Sequence, residues 1–238
     1  MNLLEAIDAR KSRRTYFNIP IEKEKAAILQ DLITTFNVES TLTMTFIEDA
    51  REAFNSIGKS YGMFKGVCSV MVMKGLKADF HLKEKVGYYG ERLILEATCL
   101  KLGTCWVGAT FDKNNILFAV PEEEELICVI PVGCVPEDET FKERMLRGMM
   151  HRKTKSIEQF YNSNALVPDW FLEAMKAVQK APSTRNTQKV MFDYQDGKIT
   201  ASVPETYHFD LVDLGIAKLH FELASGKMMP WGNGSQTI

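Results

Sequence analysis

Two runs of apolar residues constrain this chain more than any other feature. Leu126 to Val135 carries apolar side chains throughout, and Val67 to Lys74 is nearly as continuous. The longer run is about half what a membrane-spanning helix needs. Both read instead as strands buried on two faces, over Val67–Lys74 and Glu125–Pro131. A third strand is predicted over Thr41–Ile47.

Helical patterns lie between and around these strands. The longest covers Lys85–Leu102, with Val86, Tyr89, Leu93, Ala97 and Leu100 inward and Gly103 placed as its C-terminal cap. Gly87 and Gly90 stand near its start. Glycine inside a helix costs roughly 1 kcal/mol against alanine, so a close backbone approach is the expected reason for them. Ile21–Phe36 puts Ile28, Leu29, Leu32, Ile33 and Phe36 on one face. Asp169–Lys180 does the same with Phe171, Met175 and Val178, and Ala181-Pro182 should end it, because proline lacks an amide hydrogen. Leu3, Leu4 and Ile7 form a short apolar face near the start. Ala50–Ile57 reads as a short helix, followed by a glycine-containing loop through Gly62 and Gly66.

Composition narrows the function classes. The 238 residues carry 29 basic and 31 acidic side chains, a net charge of −2, so no general field attracts nucleic acid or acidic lipid. Met1–Arg10 contains Glu5 and Asp8 and no apolar signal core, which points to a cytoplasmic protein. The five cysteines (Cys68, Cys99, Cys105, Cys128, Cys134) form no CxxC and most lie in apolar stretches, as buried reduced thiols do. With the scattered His81, His151, His208 and His220 they offer no metal spacing.

Two polar stretches carry the chemistry. Arg10-Lys11-Ser12-Arg13-Arg14 sets four cations around one hydroxyl, either a solvated basic turn or a compact anion site with guanidinium forks around Ser12. Ala181-Pro182-Ser183-Thr184-Arg185-Asn186-Thr187-Gln188 gathers hydroxyls and carboxamides after a helix. Such groups are ordinary turn residues, and they also suit the edge of a neutral heteroaromatic ring carrying NH and C=O groups. Phe141–Lys155 is basic again, with Arg144, Arg147, Arg152, Lys153 and Lys155. No G-x-G-x-x-G or Walker loop is present.

A faint internal repeat runs through the chain. Ile19-Pro20 and Val167-Pro168 each start a helix. Gly87 followed by Leu93 and Leu95 matches Gly215 followed by Phe221 and Leu223, and Trp106-Val107-Gly108 has an echo in Trp231-Gly232. The uncharged stretch has no copy in the first half, and the Arg10–Arg14 stretch no clear copy in the second.

Together these segments resemble the FMN-dependent nitroreductase family. Its R-x-S-x-R is matched by Arg10, Ser12 and Arg14, and its A-P-S-x-x-N-x-Q by Ala181, Pro182, Ser183, Asn186 and Gln188. Its glycine-started helix leading to G-T-x-W-x-G is matched from Gly87 through Gly103, Thr104, Trp106 and Gly108. Arg152 to Glu158 matches its basic element with a following isoleucine–glutamate pair. In ordinary members A-P-S-x-x-N-x-Q closely follows R-x-S-x-R; here it comes after the glycine helix. The chain thus looks like a subgroup in which one polypeptide with two related halves imitates the usual homodimer.

The resemblance implies an α+β fold: a central, mainly antiparallel sheet flanked by helices, internally duplicated as a pseudo-dimer. Residues 1–161 would form one half and 162–238 a second, shorter half sharing one core. It implies FMN as cofactor, with Arg10 and Arg14, and Arg152 or Lys155, on the phosphate beside the Ser12 hydroxyl. Pro182, Ser183 and Asn186 would reach the flavin, Gln188 would support their loop, and backbone amides around Val107 and Gly108 would face the reactive ring edge. Trp106 reads equally as a contact or as packing. The implied activity passes hydride from NAD(P)H through the flavin to an electron-poor small molecule such as a nitroaromatic or quinone, with no catalytic side chain, metal, nucleic acid or membrane. A non-catalytic FMN-binding or storage protein is the alternative.

Overall fold

A computed structural model describes residues 1–54, 63–150 and 154–235. The apolar runs are strands, as expected. Ser69–Leu76 (β2) buries its first seven residues, and Glu124–Gly133 (β4) pairs with it antiparallel, Val70 opposite Pro131 and Val72 opposite Val129. Thr45–Ile47 (β1) lies on the other side of β2, and Gly103–Thr104 (β3) on the other side of β4, giving the order β1-β2-β4-β3. The register shifts between Met73 and Lys74. There the Lys74 ammonium is buried but satisfied, 2.6 Å from the Glu124 carboxylate and 2.9 Å from the Ala119 carbonyl. A buried cation left alone would be expensive; these partners remove that cost.

Helices Leu3–Ala9 (α1) and Lys23–Ser40 (α2) follow the predicted pattern with two corrections. Leu4 is exposed while Ala6 and Ile7 are buried. On α2 the inward face is Ala26, Leu29, Ile33 and Phe36, and Ile28 points outward, since its neighbour Leu29 sits about 100° further round the helix. The strand predicted from Thr41 begins only at Thr45, because Thr41 takes the left-handed C-cap of α2 (φ 64°) and turns the chain. Arg51–Phe54 (α3) is the start of the helix expected over Ala50–Ile57; the rest of that prediction, with Gly62, lies outside the described residues.

The long helix is Leu82–Cys99 (α4). Its end differs from the sequence reading. Lys101 (φ 61°), not Gly103, adopts the left-handed conformation. The amides of Leu102 and Lys101 donate to the carbonyls of Ala97 and Thr98, closing a Schellman motif. Gly103 is needed for space: a Cβ there would overlap the Val135 side chain.

The chain forms two compact units. The first comprises Met1, Ala9–Leu82 and Leu93–Met149, and holds the four-stranded sheet and all but the last residue of Phe141–Met150 (α5). The second comprises Asn2–Asp8, Lys83–Arg92 and Met150–Ile238. It contains Tyr161–Ser163 (β5), Asp169–Lys180 (α6), Met191–Gln195 (β6), Lys198–Ser202 (β7) and Asp210–Ser225 (α7). β6 and β7 are an antiparallel hairpin whose Asp196-Gly197 turn has both φ positive, matching the strands' twist. β5 runs parallel to β6, while the other strand pairings described are antiparallel, as the mainly antiparallel expectation has it. Helix α6 has the predicted bounds and buries Phe171, Met175 and Val178. Phe192 and Phe221 stack at 5.1 Å within the same core.

Within the second unit, α7 crosses the first half of α4 at two glycines. A Cβ on Gly87 would overlap the Val212 carbonyl, and one on Gly215 would overlap the Glu84 carbonyl and approach the Tyr88 amide at 2.8 Å. The close approach anticipated for Gly87 is therefore its reason. Buried polar pairs line this crossing: Lys218 with Glu84 at 2.5 Å, His220 Nε2 with Glu91 at 3.2 Å, and the Tyr88 hydroxyl donating to Glu222 at 2.6 Å. Among the described residues no helix is long and apolar enough to cross a membrane.

Candidate functional site

The basic segment lies in the first unit and is not a solvated turn. The Arg13 amide donates to the Thr104 carbonyl at 2.8 Å, the Lys65 amide to the Arg14 carbonyl at 3.0 Å, and the Tyr16 amide to the Lys65 carbonyl at 2.9 Å. Arg13 is buried and turns away from any ligand role: its guanidinium reaches Glu143 at 3.3 Å and the carbonyls of Pro136 and Asp138.

Glu143, from α5, organises the segment. Its carboxylate is 1% exposed and accepts from the amides of Arg14 (2.6 Å), Thr15 (3.0 Å) and Thr140 (2.8 Å). Burial alone would push this carboxyl up. The amides of Arg14, Thr140 and Thr15, with the Arg13 guanidinium, outweigh it and hold the group at about 2. Arg10, Ser12 and Arg14 are half-buried. Burial raises the Cys105 thiol, while the charges of Arg14 and Arg10 and a hydrogen bond with Ser12 act in the other direction.

Ser12 bridges Thr104 in parallel fashion, which brings the Thr104-Cys105-Trp106-Val107-Gly108 loop to the basic segment. Trp106 and Gly108 are half-buried and Val107 is buried. One expectation is corrected. The Val107 amide donates to the Val129 carbonyl and its carbonyl accepts from the Val129 amide, both at 3.0 Å, so the amide expected at a ring edge is engaged in the sheet.

The uncharged stretch lies in the second unit. Asn186, Arg185 and Gln188 all take positive φ, between 51° and 53°. Such conformations cost non-glycine residues about 1–2 kcal/mol each, so something must hold them. Gln188 does much of this. Its amide donates to Ser183 Oγ at 3.0 Å, and its Nε2 donates to Asn186 Oδ1 at 3.0 Å. Its Oε1 accepts from the Lys155 amide at 2.9 Å, and Lys155 Nζ donates to its carbonyl at 2.6 Å. Lys155 thus contacts the Gln188 loop directly. Pro182, Ser183 and Asn186 are half-buried, with Asn186 donating its amide to the Ser183 carbonyl at 2.8 Å. Arg152 lies outside the described residues.

A second anchor comes from α7. Asp213 accepts from the Thr184 amide at 3.0 Å and from its hydroxyl at 3.1 Å. Burial pushes this carboxyl up; the Thr184 amide and hydroxyl oppose that, neighbouring Asp210 adds to it, and the group sits at about 7. Sequence reasoning missed both Asp213 and Glu143. Each is remote in the chain from the segment it anchors, and an acidic residue in a helical pattern carries no sign of what it will meet.

A family model described as "Putative TM nitroreductase" matches residues 2–225. The chain resembles a structure described as a "putative nitroreductase" from Thermotoga maritima at 23% identity and a TM-score of 0.63, covering 94% of this chain and 83% of that one. A "putative NADH dehydrogenase/NAD(P)H nitroreductase" from Parabacteroides distasonis shares 22% identity and a TM-score of 0.50, over 70% of this chain and 100% of that one. A nitroreductase with bound FMN from Bacteroides fragilis shares 17% identity and a TM-score of 0.47, over 59% and 92%. No curated protein matches the chain. The family match runs from α1 to the end of α7, and by it the chain belongs to the nitroreductase family.

Proposed function

We propose that the chain is an FMN-dependent oxidoreductase that passes hydride from NAD(P)H to an electron-poor small molecule such as a nitroaromatic or quinone. The observation that carries this reading is the Arg10–Arg14 segment, fixed by Glu143 and by the Ser12–Thr104 bridge, with Arg13 withdrawn into its own ion pair. Two guanidinium groups and a hydroxyl are a donor set that fits a phosphate dianion. The second set has the chemistry that a flavin ring edge would take. Ser183 and Asn186 are uncharged donors and acceptors, held by Gln188 in a strained and fully braced loop.

When bound, FMN supplies the two-electron relay between a nicotinamide donor and the acceptor. The chain's own residues bind and orient it. Arg10, Arg14 and Ser12 would hold the phosphate, with Arg152 and Lys155 adding positive charge. Pro182, Ser183 and Asn186 would reach the ring, with Trp106 and Gly108 bordering it.

The chain is further read as an internally duplicated pseudo-dimer, halves 1–161 and 162–238 sharing one core, that carries one flavin without a second copy. The reciprocal glycines support this. Gly87 meets the residue three before Gly215, and Gly215 meets the residue three before Gly87, the pattern a two-fold axis imposes on matched helices. An absorption spectrum of the purified protein, followed by anaerobic NADH and NADPH, tests the activity. An oxidised-flavin spectrum bleached by either nucleotide is expected. A colourless protein that takes up no added FMN would contradict the reading.

A further inference from the structure

Thr184 occupies a position that the A-P-S-x-x-N-x-Q pattern leaves open, yet it has the most specific tie in the loop. Asp213 stands 29 residues away on α7 and is 3% exposed. Both of its oxygens lie 3.0 Å from the Thr184 amide, and one lies 3.1 Å from the Thr184 hydroxyl. Oδ1 takes both the Thr184 amide and its hydroxyl; an ionised carboxylate accepts them as charge-assisted bonds, and a protonated one keeps them as weaker neutral bonds. Thr184 stands between Ser183 and Arg185, at the entrance to the backbone with positive φ at Arg185 and Asn186. Lys155 and Gln188 brace the far end of that loop, and Asp213 braces the near end.

We propose that Asp213 is a positioning residue whose ionised carboxylate clamps Thr184, and through it sets Ser183 and Asn186 for the flavin. This rests on the flavin reading of the 183–188 loop given above. The charged groups facing Asp213 give the clamp its pH range. Asp210, on the same helix, opposes its ionisation; Lys189, from the segment after the loop, favours it, though that ammonium is bonded to Asp210 at 2.8 and 3.0 Å. Burial is the largest influence and raises the carboxyl to about 7, so the clamp strengthens and weakens within the physiological range. The loop should hold flavin on the alkaline side and loosen on the acid side.

The test is the FMN dissociation constant between pH 6 and pH 8, measured for the wild type and for Asp213→Asn, together with the Thr184 amide resonance without flavin over the same range. Asn keeps the shape and one acceptor oxygen but cannot ionise. The FMN phosphate itself titrates near pH 6, in both proteins alike, so the difference between the two profiles carries the result. From pH 8 to pH 6 the FMN affinity of the wild type should fall about tenfold more than that of Asp213→Asn. The Thr184 amide should titrate with the same midpoint in the wild type and not in the variant. FMN binding whose pH profile is the same in the two proteins overturns the proposal and leaves the flavin reading standing. A Thr184 amide that titrates in a protein binding no FMN at any pH overturns the flavin reading, and the clamp's role with it.

Discussion

Gly87 and Gly215 each provide the clearance for the other's helix: the carbonyls of Val212 and Glu84 occupy the places their side chains would take. Helix propensity alone makes Gly→Ala favourable by about 1 kcal/mol at such positions. The crossing demands the opposite sign. Gly87→Ala and Gly215→Ala should each destabilise by about 2 kcal/mol or more, because backbone rather than a flexible side chain must move. Denaturant unfolding decides, and a stabilised variant would mean the helices can separate at no cost.

Glu143 should be the most costly acidic residue to lose in the first unit. Glu143→Ala leaves Arg13 buried without its ion pair and releases the amides of Arg14, Thr15 and Thr140. The expected loss is about 3–5 kcal/mol. Its pH dependence follows from a carboxyl held at about 2 in the folded chain against an ordinary 4.5. A depressed carboxyl stabilises fully above the unfolded value and loses that contribution as pH falls toward the folded one. The gap between wild type and variant should therefore be constant at neutral pH and shrink between about 4.5 and 2. A gap that did not narrow there would assign the loss to packing instead.

Arg14→Ala separates binding from folding. The Arg14 backbone makes bonds to Glu143 and Lys65 that fix the segment, and alanine keeps them. FMN should bind about 10- to 100-fold more weakly, with a melting temperature changed far less than in Glu143→Ala. Equilibrium dialysis and a thermal scan test this; unchanged flavin affinity would remove Arg14 from the site.

Asp213→Asn should move stability and binding in opposite directions. The Asp213 carboxyl is raised in the folded chain, to about 7 from an ordinary 3.8. A raised carboxyl favours folding only while it keeps its proton, so stability from this group falls as pH climbs from about 4 to 7. The variant should equal the wild type near pH 4 and exceed it at pH 8, by at most about 4 kcal/mol. Thermal unfolding at the two pH values reads the difference, and a variant less stable at pH 8 would count against an ionised, buried Asp213.

How much of this was legible in the sequence depended on whether a feature is local. The strands around Val70 and Val129 and the helix Asp169–Lys180 were readable because burial and periodicity write themselves into consecutive residues. The reason for Gly87 was readable because glycine in a helix is otherwise unfavourable. The C-terminal cap of α4 was misplaced because Lys101 accepts a conformation that Gly103 merely suits better, while Gly103 answers a steric demand from Val135. The roles of Arg13, Glu143 and Asp213 were hidden for another reason. Arg13 sits among three other cations with nothing local to distinguish it, and its partner comes from 130 residues away. Val107 failed in the same manner, its amide claimed by a strand that the loop sequence does not mention.

The most direct test of the account is the ratio of FMN to polypeptide in the purified protein, with flavin released by denaturation and the native mass measured alongside. One flavin per chain in a particle of one chain's mass, 27.0 kDa, is the predicted result. Two flavins per chain, or one held only by a pair of chains, would contradict the reading of a single polypeptide that carries both halves of one site.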